Sequence, residues 1–304
     1  MPCNTRFGSI PRASLFPPDR QACMKVKTLL AAGAEPLEQT SALPVFPIAE
    51  TRFGRMFTLQ GDSVISRSLR VYGEFAGDEV DSILSLVRVG DHVLDLEANI
   101  GFHTLALART VGPTGHVISV EPQHYCFQLL CANVTANQLT TVNCIRAGVG
   151  DVPGTCAVPR HDPVRRHNAG ATPVSLEPGA AHPTDTVPLI TVDSLALPRC
   201  DMIKIDTEGF EDRVALGARR TLATLRPALY IEIHDRDKLQ RLHGLLQPLG
   251  YSLLLHRTRF FRSANAAGEP VNVFSPNTGG TALIALPPGR SPSGPLPGET
   301  RSLG

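Results

Sequence analysis

The chain has 304 residues, enough for one large α/β domain with a sizeable buried core. Its 29 Lys and Arg nearly cancel its 28 Asp and Glu; the formal net charge of +1 argues against a dedicated nucleic-acid binder, which would carry a strongly basic face. Hydrophobic residues at 42% and charged ones at 19% exclude wholesale disorder, and no apolar run approaches the ~18 residues that a membrane-spanning helix needs.

Residues 1–45 carry Pro2, Pro11, Pro17, Pro18 and Pro36 with no sustained period, so a flexible N-terminal extension is expected there. Its one short apolar patch, 29–34, ends at Glu35-Pro36 and makes a poor signal peptide. From 46 to 286, short apolar runs alternate with longer amphipathic segments, the pattern of βαβ units around a parallel sheet. The spacing predicts helices at 78–87, 102–110, 124–137, 211–224 and 238–247. Strands are expected at 91–96, 116–121, 142–147, 201–206, 229–234 and 251–256, with a last, antiparallel one at 281–286. An insertion at about 150–190, rich in Pro, Gly, His and Arg, reads as a long loop or hairpin. The segment 287–304, again dense in Pro and Gly, reads as a disordered tail. Seven cysteines, an odd number with no Cys-x-x-Cys pair, point to reduced thiols in a cytoplasmic protein and give no zinc spacing.

The densest chemical signal lies at 93–104, Val-Leu-Asp-Leu-Glu-Ala-Asn-Ile-Gly-Phe-His-Thr. A buried strand ends in a loop of mostly small residues and a helix opens at once, aiming unsatisfied N–H groups at whatever lies above the strand. Gly101 allows close approach of a ligand to the backbone. Some twenty residues on, Glu121 ends the next strand, where a carboxylate can accept both hydroxyls of a ribose. The combination indicates an adenosine-containing cofactor. A nicotinamide fold wants Gly-x-Gly-x-x-Gly, whereas this loop offers Gly101 alone; Asp95 in the preceding strand suits a cationic amino group better than a pyrophosphate.

A second signal, 203–211 (Ile-Lys-Ile-Asp-Thr-Glu-Gly-Phe-Glu), places Asp206 at the carboxyl edge of the sheet, with Glu208 and Glu211 following and Gly209 permitting a tight turn. Three carboxylates within six residues can act as a general base, as a divalent-metal cradle, or as charges offsetting a helix dipole. Glu232, inside an apolar strand, needs a partner, and His234 just beyond it faces the same edge.

Residues 95–104 resemble the first motif of the FkbM family of S-adenosylmethionine-dependent methyltransferases, Asp-x-Gly-Ala-Asn-x-Gly-x-x-Thr, and 203–211 resemble its second, Ile-Lys-Ile-Asp-x-Glu-Gly-x-Glu. Thr191-Val192-Asp193-Ser194-Leu195, 227–232 and Asn272-Val273-Phe274 also fit, so the resemblance spans roughly 70–286. It implies a Rossmann-like class I methyltransferase fold: a mostly parallel twisted sheet, helices on both faces and an antiparallel last strand. It implies S-adenosyl-L-methionine held by Asp95, Glu97, Ala98, Asn99, Gly101, Thr104, Glu121 and Asp151, with Asp206 and Glu208 as catalytic residues. Asn168, in an Asn-x-Gly element of the insertion, joins Glu232 and His234 as substrate residues. The acceptor implied is a small molecule or glycan carrying a hydroxyl: a sugar, a lipopolysaccharide precursor or a secondary metabolite. No metal ligand is assigned, though a divalent metal is compatible with the carboxylates. One departure stands out. Position 97 is Glu where the family has Gly, bringing bulk and like charge toward the methionine carboxylate. A catalytically degenerate binding protein is therefore one alternative, and a nicotinamide-dependent oxidoreductase another.

Overall fold

The computed structural model describes residues 45–176 and 183–303. The extension expected at 1–45 lies almost wholly outside the described residues. An antiparallel hairpin opens the described chain, β1 (Ile48–Thr51) and β2 (Gly54–Phe57), followed by α1 (Ile65–Tyr72) and α2 (Gly77–Ser85). The alternating core then runs β3 (His92–Leu96), α3 (Phe102–Val111), β4 (His116–Val120), α4 (His124–Ala136) and β5 (Val142–Ile145). After the insertion come β9 (Met202–Ile205), α5 (Glu211–Leu216), α6 (Arg219–Thr224), β10 (Ala228–Glu232), α7 (Arg236–Leu246), β11 (Ser252–Arg259), β12 (Gly279–Leu286) and β13 (Glu299–Ser302).

Eight strands form one sheet in the order β13-β11-β12-β10-β9-β3-β4-β5. The five from β10 to β5 are parallel, and β12 inserts antiparallel between β10 and β11. This is the expected doubly wound architecture with its antiparallel late strand. Strands β3 and β9 are buried along nearly their whole length, which is why they read as continuous apolar runs. On one face α5, α6 and α7 contribute Val214, Leu222 and Leu242 to the core; on the other, α2 and α3 contribute Ile83 and Leu107. The chain order reverses between β3 and β9, and the crevice above that point is where such folds take ligands.

Two expectations need correction, the helix and the tail, and a third, the insertion, is narrowed. The helix expected over 211–224 is two helices, broken at Gly217-Ala218. The break is set by packing: a Cβ on Gly217 would lie 2.1 Å from the Gly150 carbonyl oxygen, and the Gly217 carbonyl accepts from the Asp193 amide. Of the two forms expected for the insertion it takes the hairpin, β7 (Gly154–Pro159) pairing antiparallel with β8 (Thr184–Ile190), and β6 (Gly148–Val149) extends it to a small sheet in the order β6-β8-β7, with Cys156, Val158, Val187 and Leu189 as its own core. The tail expected to be disordered folds back along the domain. Arg290 Nη2 donates to Asp91 Oδ2 at 2.7 Å, the Pro297 carbonyl meets the buried His256 ring, and β13 pairs with β11.

Candidate active site

A cavity of about 610 Å3, open mouth included, lies at the carboxyl ends of β3, β4, β9 and β10. Its polar lining is mostly carboxylate: Glu79, Glu97, Glu121, Asp206, Glu208 and Glu232.

The loop after β3 forms one wall. Its backbone enters the left-handed region at Glu97 (φ 57°), Asn99 (φ 51°) and Gly101 (φ 93°), with Gly101 capping α3. At position 97 this conformation is the one a glycine adopts freely and a Glu adopts at a cost of roughly 1–2 kcal/mol. The Glu97 side chain does not swing out to solvent. It lines the cavity, and its Oε1 is enclosed without a hydrogen-bond donor. Burial, then the charges of Glu121, Asp206 and Glu208, pushes its pKa well above the usual carboxylate range. Glu121, 1% exposed, accepts the Asn99 amide on Oε2 at 2.8 Å and the Gln123 amide on Oε1 at 2.7 Å. Its burial raises its pKa to about 7 against the opposing pull of those two amides.

Beneath the floor sits Lys204 of β9, 2% exposed. Its Nζ lies 3.3 Å from Asp95 Oδ1 and 3.1 Å from Asp206 Oδ2, and donates to the Glu97 carbonyl at 3.3 Å. Burial works against the ammonium, yet Asp206 and Asp95 beside it hold its pKa above the ordinary lysine value. Thr104 donates to Asp95 Oδ2 at 2.7 Å and contacts Ser119, completing a buried polar layer. The same lysine lowers the already burial-depressed pKa of His103 to about 3, so that ring is neutral beside Glu79, itself raised by burial to about 7.

The opposite wall comes from β9 and β10. Burial, then the neighbouring carboxylate of Glu232, raises the pKa of Asp206 well above the usual range, against the pull of Lys204. Glu208 follows in a strained turn (φ 29°), held by the Gly209 amide donating to Glu211 Oε1 and by Lys238 on Glu211 Oε2. His234 Nε2 lies 3.4 Å from Glu232 Oε2 and 3.5 Å from Glu208 Oε2; the adjacent Glu232 carboxylate, with Glu208 behind it, lifts its pKa to about 9 against partial burial.

The roof is the insertion. Asn168 accepts from the Gly170 amide on its own Oδ1, and Gln123 Nε2 donates to the Ala169 carbonyl. Asp62, just before α1, accepts the amides of Val64, Ser66 and Ala169 and so ties this strap to the helix. Val64, Ile65, Phe75 and Phe260 give the cavity its apolar side.

Of the residues expected to hold a cofactor, Glu97, Asn99 and Glu121 line the cavity. Asp95, Ala98, Gly101 and Thr104 do not line it. Asp95 and Thr104 belong to the buried layer below, the Ala98 amide donates to the Val120 carbonyl, and a Cβ on Gly101 would meet Leu130 Cδ1 at 2.8 Å. Asp151 stands apart, 3.8 Å from Arg213. Asp206, Glu208, Asn168 and Glu232 line the cavity, with His234 at its edge. Sequence reasoning missed Glu79, Gln123 and Lys204 as parts of the site. The lysine had a signal, a lone charge in the apolar run Ile-Lys-Ile; the other two had none.

Among solved structures, a methyltransferase FkbM from Methylobacillus flagellatus is 17% identical, with a TM-score of 0.44 over 64% of this chain and 43% of its own. A putative rRNA methylase from Clostridium thermocellum is 14% identical, with a TM-score of 0.41 over 69% and 94%. TYW2 of M. jannaschii in complex with AdoMet is 14% identical, with a TM-score of 0.42 over 80% and 86%. The chain thus spans less than half the length of the first of these. No curated protein matches it in sequence. The methyltransferase FkbM domain model matches residues 95–253, more than half of the 304, and the chain belongs to that family.

Proposed function

We propose that the protein is an S-adenosylmethionine-dependent O-methyltransferase acting in the cytoplasm on a hydroxyl of a sugar, a lipopolysaccharide precursor or a secondary metabolite. The observation that carries this reading is one cavity at the strand switch point that brings Glu97, Asn99 and Glu121 opposite Asp206 and Glu208 in a chain of the FkbM family. The residues fit the cofactor. Its ammonium and sulfonium are cations suited to a carboxylate-lined cavity, and the enclosed Glu97 Oε1 lacks the donor that an ammonium provides. Glu121 keeps a free lone pair on each oxygen for ribose hydroxyls beyond the amides already donating to it. S-adenosylmethionine, when bound, supplies an electrophilic methyl group.

The protein's own work is alignment and proton removal. Asp206 takes the acceptor hydroxyl's proton as general base, and burial beside the Glu232 carboxylate makes it hold that proton more tightly than a free carboxylate would. Lys204 fixes Asp206 from below. Glu208 supports Asp206 at the mouth, and Asn168, Glu232 and His234 position the acceptor. Val64, Phe75 and Phe260 exclude water from one side.

Calorimetric titration with S-adenosylhomocysteine and with NAD tests the reading. We expect the first to bind and the second not to, and Glu121→Ala to weaken the first by about 1.5–3 kcal/mol. Binding of NAD alone sinks the proposal. A second reading, a binding protein that has lost catalysis, is favoured by Glu97 at the family's glycine position; S-adenosylhomocysteine bound tightly with no labelled methyl transferred to any hydroxyl acceptor selects it.

A further inference from the structure

We propose that Glu208, Glu232 and His234 form a binding site for one divalent first-row cation at the mouth of the cavity. One ligand atom from each of the three residues lies within 4.8 Å of the other two, and His234 Nε2 is 3.5 Å from Glu208 Oε2 and 3.4 Å from Glu232 Oε2. Ligand atoms ~2.1 Å from a shared metal are about 3.0 Å apart in octahedral and about 3.4 Å apart in tetrahedral geometry. The observed spacing suits a shared cation better than it suits hydrogen bonding, which prefers roughly 2.7–3.2 Å and for which one ring N–H cannot serve two carboxylates well.

The ligand set has one imidazole nitrogen and two carboxylate oxygens, which suits Mn2+, Fe2+ or Zn2+ over a soft ion. It is also held in place. Glu232 ends a core strand paired on both sides, and Glu208 sits in the turn that Gly209, Glu211 and Lys238 brace. His234, 41% exposed, leaves the mouth open for ion entry and for a further ligand. A separate observation points the same way. Across the cavity Glu97 Oε1 is closed off from solvent with no donor, while Lys204, the one buried lysine or arginine among the described residues, is already engaged by Asp95, Asp206 and the Glu97 carbonyl. The cavity therefore carries more carboxylates than Lys204 and His234 can match.

The test uses the full chain and Mn2+ alone, with neither cofactor nor acceptor, so its outcome is independent of the methyl-transfer reading. Electron paramagnetic resonance should count one bound Mn2+ per chain, with a Kd on the order of 10–100 µM, the weaker end of protein sites for divalent ions. His234→Ala and Glu232→Gln should each weaken binding at least about tenfold with the thermal unfolding midpoint retained. Spin-echo modulation from a directly bound imidazole nitrogen should appear in the wild type, which needs no variant. Absence of Mn2+ and Zn2+ binding up to 1 mM on the same scale of ion affinities, absence of the nitrogen signature, or unchanged affinity in both folded variants each overturns the site.

Discussion

The loops that follow β3 and β9 leave neighbouring parallel strands at the same edge, and both pass through left-handed backbone, yet they present different chemistry. After β3 the polar groups, the Glu97 carboxylate excepted, are engaged by one another: Glu121 takes two main-chain amides, Asn99 Oδ1 accepts from Ile100, and Asp95 is closed under Thr104 and Lys204. After β9 the loop is braced from behind by Glu211 and Lys238, so Asp206 and Glu208 face the cavity beside each other, Glu232 and His234, with Lys204 under Asp206. One loop shapes a surface; the other concentrates charge. Lys204 joins them, touching Asp95 and the Glu97 carbonyl on one side and Asp206 on the other.

Breaking that joint should give the largest effect. Lys204→Met leaves Asp95 buried without a counter-charge and should cost about 3–5 kcal/mol, read from the denaturant midpoint. A loss under about 1 kcal/mol would show that the two loops are stable independently of the lysine. Asp206→Asn separates the loops by function: turnover should fall at least about 10²-fold while S-adenosylhomocysteine affinity changes little. Equal losses in both would make Asp206 part of the shaping wall.

The next effect is one of pH. Glu121 and Glu79 have folded-state pKa values raised to about 7 from an ordinary 4.5, so the folded protein binds their protons more tightly than the unfolded chain does. Their contribution is fully present below about pH 4.5 and is lost as pH rises through 7, with a slope of up to about 1.4 kcal/mol per pH unit for each group. Urea titrations between pH 5 and 8 should show this fall, and Glu121→Gln should remove its own share. A flat profile in wild type would mean that the amides fully offset burial. Smallest is Glu97→Gly, which should stabilise the fold by about 1 kcal/mol. It relieves the left-handed strain and the donorless carboxylate, less the extra entropy of a glycine in the unfolded chain. A destabilised variant would show that the Glu97 side chain holds the loop together.

How much of this was legible follows from where each signal resides. The strands and the two loops were readable because burial on both sheet faces makes the strands continuous apolar runs, and each ends where acid and glycine take over. Asp206, Glu208 and Glu232 came with them. The depth of a residue below the cavity was not readable. Asp95 and Thr104 sit in the same motif as Asn99, yet they serve the layer beneath, and only the register of β3 against β9 decides that. The break at Gly217 depends on Gly150, 67 positions earlier, so the local helical pattern ran straight through it. Glu79 and Gln123 reach the cavity from helix and loop surfaces whose sequence resembles any solvated face.

β13 has a consequence of its own, for how copies of the molecule meet. An eight-residue strand such as β11 at the rim of a sheet offers a row of unpaired amides and carbonyls to any other strand in solution. Here Glu299–Ser302 takes up part of that row, and the rim it leaves is four residues long, wholly exposed and charged at Glu299 and Arg301. A short charged rim is a poor template for strand addition. Strand β13 thus shields a sheet edge far from the chemistry: with 299–302 gone, the half of β11 around Leu254 and Leu255 would be bare and open to strand addition.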